Sequence, residues 1–250
     1  MSAETYFEAA QKVYDRIHST QLANIQKAAE FAADSIARGG LVHLFGSGHS
    51  VIPVLDVFPR YGSFAGFHPM MDSRLMWTQV LGSGGVRELL RLERTEGYIA
   101  TFLANFKFEP IDTMVVYSHG GMNAAPIEVA LHAKSLGLKV VSVTSLDNAK
   151  ISRATHSSGK RLADVGDVVI DNCCPPQDSL VEIAGGPVAA SSTLAVIAIS
   201  MALVAETATR LHARGVKFRA FVSPNVTAVG PDNNQRVFDD YIQRLAPRLK

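Results

Sequence analysis

The sequence is poor in cysteine and has no excess of charge, and these shortages exclude several classes of protein. Its two cysteines, Cys173 and Cys174, are neighbours in the chain. Neighbouring cysteines cannot link distant parts of the chain by a disulfide, which excludes a disulfide-stabilised secreted domain. A formal net charge of +1 gives no electrostatic footprint for nucleic acid. The histidines lack a His-Glu-x-x-His pattern and any paired spacing with the cysteines, so we expect no metal and no cofactor.

Long hydrophobic runs are also missing. Residues 183–205 carry no charge, but Gly185-Gly-Pro187 and Ser191-Ser-Thr193 interrupt them and leave only 194–205 as a nearly continuous apolar stretch. That stretch is too short to span ~30 Å of hydrocarbon. We therefore predict a long apolar helix over 188–213 that is buried in a core or an interface. The first residues lack the basic and apolar regions of a secretory signal, and we expect a cytoplasmic protein without a membrane partner.

Apolar strand-like runs alternate with helix-like segments along the chain. This order favours the α/β class, with a parallel sheet covered by helices on both faces, in one domain spanning 1–250. Helical spacing of apolar residues predicts an N-terminal helix over 3–38 and a helical tail over 235–248. The predicted strands are 41–45, 63–67, 113–117, 139–144 and 167–171, and the predicted helices between them are 50–60, 86–107 and 123–136.

Two short loops, 46–50 and 118–123, each follow a predicted strand and open a predicted helix. The first backbone N–H groups of a helix have no partner inside it, and the positive end of the helix dipole lies there. Glycine lets a ligand approach the backbone and serine adds a hydroxyl donor. The two loops therefore predict one pocket for a small phosphorylated or polyhydroxylated molecule.

Neither loop matches a nucleotide-binding motif. Gly46-Ser-Gly-His-Ser-Val51 has the first two glycines of the dinucleotide fingerprint, but Val51 replaces the third, and no lysine follows as in a nucleotide P-loop. Gly82-Ser-Gly-Gly85 has no clear strand before it, and we interpret it as a turn.

The residues resemble a known family, the sugar isomerase (SIS) domain, and more narrowly its stand-alone members of about 250 residues. The resemblance covers nearly the whole chain. It is carried by Phe45-Gly-Ser-Gly-His-Ser50, Leu92-Glu-Arg-Thr-Glu-Gly97, Ser118-His-Gly-Gly-Met-Asn-Ala-Ala-Pro-Ile-Glu128, Ala133-Lys-Ser-Leu-Gly137, Val140-Val-Ser-Val-Thr144, His156-Ser-Ser-Gly-Lys-Arg-Leu162, Asp171-Asn172 and Ser223-Pro-Asn225.

The resemblance implies a flavodoxin-like three-layer αβα sandwich whose loops bind sugar phosphates. One departure stands out, because Gly120 occupies a position where the family's second loop usually has serine. The residues that we expect to bind substrate are Gly46, Ser47, Gly48, Ser50, Ser118, Gly120, Gly121, Asn123, His156, Ser157 and Ser158.

Three residues are candidates for proton transfer. Carboxylates and imidazoles serve an aldose–ketose isomerisation when burial tunes their pKa. Asp56 follows the first loop by six residues, although it could equally lie on a solvated face and pair with Arg60 one turn away. Glu96 lies in the segment shared with the family, and His49 lies inside the first loop. The orientation of His119 stays open at this point.

Three functions remain after this reasoning. The first is a sugar-phosphate isomerase. The second is an amino-sugar phosphate lyase or etherase, because Ala184-Gly-Gly-Pro187 to Ser191-Ser-Thr193 resembles a segment of the muramic acid phosphate etherases. The third is a non-catalytic sugar-phosphate sensor. Two apolar helical faces, over 3–38 and 188–213, further predict a homo-oligomer, a dimer or a tetramer.

Overall fold

The fold is built on five parallel strands. The computed structural model describes residues 2–225 and 229–250, so Met1 and 226–228 of the predicted domain lie outside it. The strand order is β2-β1-β3-β4-β5, every neighbouring pair is parallel, and the predicted α/β sheet is confirmed. All carboxyl ends therefore meet at one edge. The strands are β1 (Val42–Gly46), β2 (Phe67–Met70), β3 (Thr113–Tyr117), β4 (Lys139–Thr144) and β5 (Val168–Asp171).

Helices cover both faces of this sheet. Alternate residues of β3 belong to different cores: Val115 and Tyr117 pack with one set of helices, while Met114 and Val116 pack with the other. The sheet is thus the middle layer of three. The helices are α1 (Ser2–Ala37), α2 (Val51–Val57), α3 (Val86–Leu92), α4 (Tyr98–Leu103), α5 (Ala124–Ser135), α6 (Leu146–Ile151), α7 (Ser192–Ala213) and α8 (Asn233–Leu245).

Helix α7 is long and apolar enough, by length and composition alone, to cross a membrane. It packs against α1 and α2, and its side chains Ile199, Leu203 and Leu211 are buried in the same core as Ile25 of α1. Core helices of soluble proteins pass the same test of length and composition. The residues of α7 thus contribute to a protein core in this structure.

The sequence-based prediction was wrong about where α7 begins. Residues 188–190 belong to an antiparallel hairpin of β6 (Ser179–Ile183) and β7 (Gly186–Ala190), and the helix begins only at Ser192. Ile183 pairs with Gly186, so Ala184 and Gly185 form a two-residue turn, and glycine is favoured in such turns.

Two further boundaries differ from the prediction. The strand expected over 63–67 is β2, which begins only at Phe67. The helix expected over 86–107 is interrupted after Leu92 and resumes at Tyr98, with Gly97 at a φ of +80° before the second part. That conformation is one that glycine adopts without strain.

A buried ionic cluster attaches the C-terminal segment to the sheet. The Arg248 guanidinium donates to both carboxylate oxygens of Asp112, and the backbone N–H of Leu41 donates to the same side chain at 2.8 Å. His43 Nε2 lies 3.3 Å from Asp112, and His68 Nδ1 lies 2.6 Å from the Tyr241 hydroxyl. Burial lowers the pKa of His43, and it lowers the pKa of His68 to about 3.

We expect acid to destabilise the protein through these histidines. Because the unfolded chain binds a proton near pH 6.5 and folded His68 does so only near pH 3, the free energy of unfolding should fall as the pH drops between these values. The slope should be at most about 1.4 kcal/mol per pH unit for each histidine. Chemical denaturation of His68→Gln should show a shallower slope, whereas His212→Gln, at an exposed position, should keep the wild-type slope. An unchanged slope in His68→Gln would contradict this assignment.

Candidate functional site

A cavity of about 390 Å³ opens at the carboxyl edge of the sheet, between β1 and β3. Residues of both predicted loops line it, together with residues of α3, the last residue of β7 and the first two residues of α7. The lining residues are Ser47, Gly48, His49, Ser50, Trp77, Val86, Leu89, Leu90, Glu93, Ser118, His119, Gly120, Asn123, Asp178, Ala190, Ser192 and Thr193.

The first loop turns sharply out of β1. A methyl group at Gly46 would lie 2.0 Å from the Ser50 carbonyl oxygen, and Gly48 has a φ of +59°. Both positions therefore require glycine. This turn leaves the Ser47 hydroxyl buried and within 2.8 Å of a carboxylate oxygen of Glu93.

The second loop leads into α5. Gly121, at a φ of +65°, donates its N–H to the Ser118 hydroxyl at 3.2 Å. Within the described residues, the N–H groups of Gly120 and Asn123 make no hydrogen bond to protein. Because they precede a 12-residue helix whose dipole is positive at this end, they form a place where an anion can bind.

Glu93 is a candidate site residue that the sequence analysis did not select. It follows the last residue of α3, is only 5% exposed, and accepts the Ser47 hydroxyl in the cavity. Burial raises the pKa of its carboxyl above the ordinary value, although hydrogen bonds from Ser47 and Asn123 oppose the shift. A raised pKa in a cavity is typical of a group that exchanges protons. Glu93 lies in the same segment, Leu92-Glu-Arg-Thr-Glu-Gly97, as the predicted Glu96, so the segment is a signal that points to both acids.

The two histidines that line the cavity differ in the contacts of their rings. His119 Nδ1 receives the side-chain N–H of Asn172 at 3.1 Å, and its Nε2 lies 3.2 Å from the Pro176 carbonyl oxygen. The Asn172 orientation is fixed because its oxygen accepts the Cys174 N–H. His119 therefore carries its hydrogen on Nε2, and both ring nitrogens are used. His49 instead lies beside Trp77, with ring centroids 4.4 Å apart.

Asp178, the residue before β6, also lines the cavity. Its carboxylate accepts the N–H groups of Ser191 and Ser192, at 3.0 and 2.6 Å, and the hydroxyls of both. The side chain thus occupies the N-terminal end of α7, where the helix dipole favours negative charge. This arrangement holds Ser192 and Thr193 at the cavity wall.

Glu96 and three of the expected binding residues lie in a neighbouring cluster. Glu96 accepts the backbone N–H of Ser157 at 2.8 Å and also its hydroxyl. The His156 ring approaches Glu128 at 3.4 Å and Ser158 at 2.8 Å. Glu96 and His156 of this cluster line a second cavity of about 250 Å³, which shares Asn123 with the first.

The same cluster contains the side chains that could hold a metal. Glu96, Glu128 and His156 each offer a ligand atom, and the three atoms lie within 4.8 Å of one another. The backbone N–H of Ser158 donates to Nδ1 of His156, which places the ring hydrogen on Nε2, facing the carboxylates. The arrangement is therefore that of a histidine bridging two acids, since a metal-ligating histidine usually donates through its other nitrogen.

Asp56 lies outside both cavities. Its carboxylate accepts the Arg60 guanidinium at 2.6 Å, one turn further along the chain, and both side chains are partly exposed. The sequence allowed Asp56 either to face the pocket or to pair with Arg60, and the structure shows the pair. The carboxylate therefore points away from the cavity.

Similarity of this sequence to known proteins identifies the family to which the chain belongs. The sequence pattern of the SIS domain matches residues 5–145. A UPF0309 protein of Listeria monocytogenes serotype 4b is 33% identical over 242 residues, which are 96% of each chain. A second UPF0309 protein, from Caldanaerobacter subterraneus, is 32% identical over 250 residues and covers 97% of this chain and 98% of its own.

This chain belongs to the SIS domain family. Among solved structures, the phosphoheptose isomerase of Neisseria gonorrhoeae shares its fold with a TM-score of 0.55 at 15% identity, over 83% of this chain and 97% of that one. The phosphoheptose isomerase of Francisella tularensis gives a TM-score of 0.54 at 16% identity, over 83% and 96%. The SIS resemblance read from the sequence is confirmed, and so is the three-layer fold that it implied.

The departure of this SIS domain at Gly120 leaves room for the usual serine. A methyl group added at Gly120 would meet no atom within 4 Å, and the residue does not have a left-handed φ. The backbone at this position could therefore accommodate a serine, but this chain lacks the hydroxyl that a serine would supply.

The two glycines offer a matched test of the loop geometry. Gly46→Ala should lose about 3 kcal/mol or more of unfolding free energy, because the added methyl overlaps the Ser50 carbonyl. Gly120→Ala should change stability by no more than about 0.5 kcal/mol. Urea denaturation measures both, and equal stability of the two variants would show that the first loop is built differently.

Proposed function

We propose that this SIS domain binds a phosphorylated sugar in the cavity at the carboxyl edge and interconverts its aldose and ketose forms. The observation that carries the proposal is Glu93, a buried carboxyl of raised pKa that accepts the Ser47 hydroxyl of the first loop and lies beside the second loop, where the N–H groups of Gly120 and Asn123 make no hydrogen bond to the described residues.

The phosphate would bind at the start of α5. The N–H groups of Gly120 and Asn123 supply donors there, and the helix dipole supplies a positive field. The hydroxyls of Ser50 and Ser118, which line the same cavity, add further donors. The cavity volume of about 390 Å³ falls in the range of small-molecule sites.

Glu93 would move the proton. In the isomerisation, a base takes the proton from the carbon beside the carbonyl while the carbonyl oxygen is protonated, and an enediol forms. The base then returns a proton, its own or one exchanged with solvent, to the adjacent carbon as the other hydroxyl loses its proton. A carboxyl whose pKa lies closer to the working pH serves best as such a base and acid. The Ser47 hydroxyl, which donates to Glu93, would stabilise the carboxylate after it gives the proton back.

The other candidates receive different parts in this proposal. His49 stays a candidate for the hydroxyl proton, since it lines the cavity and faces Trp77. Glu96 and His156 would shape the neighbouring cavity. Cytoplasmic location stays a prediction. The dimer or tetramer also stays a prediction, and exposed Phe7 and Tyr14 of α1 lend it support.

The etherase and sensor alternatives differ from the isomerase in what happens to the bound sugar phosphate. An etherase would release a hydroxy acid from an amino-sugar phosphate, and a sensor would bind sugar phosphates without turnover. Proton NMR in D₂O separates the three, because isomerisation exchanges the carbon-bound proton and returns a ketose, whereas elimination yields a second molecule.

We expect Glu93→Gln to lower kcat by at least about 100-fold with little change in sugar-phosphate affinity, because the amide cannot accept the carbon-bound proton. Asp56→Asn, which removes a carboxylate outside the cavity, should keep wild-type activity. The measurement is the rate of aldose–ketose conversion across a panel of sugar phosphates.

The pH profile gives an independent check. Because burial raises the pKa of Glu93, kcat/KM should decline on the acid side at a pH above the ordinary carboxyl value of 4.5, and the decline should reflect loss of the base form. Full activity of Glu93→Gln, or binding of sugar phosphates without turnover of any by the wild type, would remove the isomerase proposal.

A further inference from the structure

A separate cavity, of about 530 Å³, lies between α4 and α5. Among the described residues, none lines both this cavity and either of the two cavities described above. Its wall is mostly apolar, and the side chains that make it so include those of Ile99, Leu103, Phe106, Phe108 and Leu136. Cavities of this size, with apolar walls and few polar groups, are the usual form of small-molecule sites.

Backbone hydrogen bonds and the core hold this cavity open. At the start of α4 the Gly97 N–H donates to the Glu128 carboxylate of α5 at 2.7 Å. At the other end the Lys107 N–H donates to the Arg248 carbonyl oxygen of the C-terminal segment at 2.8 Å. Phe108 is buried in the core beneath α5. The cavity is therefore preformed, and a ligand that enters it need not first order the chain.

The end of the cavity beside the C-terminal segment is positive. Lys107 and Lys250 both line this end, but the Lys107 ammonium lies 3.0 Å from the Glu109 carboxylate. Within the part of the chain that the structure describes, the Lys250 ammonium makes no ion pair. Burial and, after it, the charge of Lys250 lower the pKa of His132, so this ring is neutral near neutral pH. Lys250 therefore supplies the uncompensated positive charge of the cavity.

The acid of the lining lies at the opposite end and is already in contact with donors. Glu128 stands one turn before His132 on α5. Its carboxylate accepts the Gly97 N–H and lies 3.4 Å from Nε2 of His156, the nitrogen that carries the ring hydrogen. The cavity thus runs from an occupied acid, along an apolar wall, to a cation without a partner.

An apolar chain with one negative group at its end matches this distribution. The six residues of α4 span about 9 Å at the rise of an α-helix, which suits a carboxylate of medium chain length. A small polar anion gains nothing from the apolar wall, and a neutral hydrocarbon gains nothing from the Lys250 ammonium. A charge-assisted contact between ammonium and carboxylate orients a ligand that has both parts.

We propose that this cavity binds a medium-chain carboxylate, with its hydrocarbon chain between α4 and α5 and its carboxylate at the Lys250 ammonium. The site is separate from the sugar-phosphate cavity, and it stands or falls independently of the proposed isomerase.

The test compares ligands that differ in chain length or in charge. Isothermal titration of the full chain would measure octanoate, hexanoate and octan-1-ol. Octanoate should bind one to one and about tenfold more tightly than hexanoate, because two further methylene groups leave water. It should also bind at least threefold more tightly than octan-1-ol at low salt, and added salt should reduce that preference because it screens the exposed ammonium.

Variants assign the binding to this cavity. Ala100→Leu places a larger side chain in the cavity and should weaken octanoate binding at least tenfold. Its matched control, Thr101→Leu, adds bulk at the next exposed position of α4, outside the lining, and should keep wild-type affinity. Lys250→Gln should abolish the preference for octanoate over octan-1-ol, whereas Lys12→Gln, at an exposed position of α1, should leave it unchanged.

Four results would overturn the proposal: no octanoate binding by the wild type, equal affinity for octanoate and hexanoate, no preference for octanoate over octan-1-ol, or wild-type octanoate affinity in Ala100→Leu. Light scattering on the same samples identifies the competing occupant. An oligomer that Ala100→Leu dissociates, together with no binding of octanoate, would assign this face to a second copy of the chain.

Discussion

Glu93 joins the two loops on which the site depends. Its side chain accepts the Ser47 hydroxyl of the first loop at 2.8 Å, and its backbone carbonyl accepts the N–H of Ala125 in the first turn of α5 at 3.0 Å. One residue at the end of α3 thus sets the spacing between both N-terminal loops. A buried carboxyl is costly unless it is hydrogen-bonded, so the same contacts that hold the loops also make this acid tolerable in the cavity.

The interruption after α3 divides the acidic residues between two cavities. Glu93 ends the helix and faces inward, whereas Glu96 lies in the turn beyond it and binds Ser157. Asn123 borders both cavities, which makes the start of α5 their common wall. The main cavity therefore combines backbone donors for an anion with a buried acid that can exchange protons, and the proposed isomerisation requires both.

The sequence could predict the parallel sheet and the loops at its edge, because strand periodicity and the glycine–serine pattern are local signals. It could not predict that Glu93 lies in the cavity and Glu96 outside it. The two acids are three residues apart, and the position of each depends on the residue at which α3 ends, which a sequence does not fix that closely. The outward direction of Asp56 depended on pairing with Arg60. The hairpin before α7 did have a local signal, the glycine pair at 185–186, but the apolar residues around it also fitted a helix.

The most direct measurement is a crystal structure with a bound sugar phosphate. The account predicts a phosphate group within hydrogen-bond distance of the Gly120 and Asn123 N–H groups and of the Ser118 hydroxyl, with the sugar beside the Glu93 carboxyl. A phosphate bound instead in the larger apolar cavity between α4 and α5, which Leu103, Phe108 and other residues line, would contradict it.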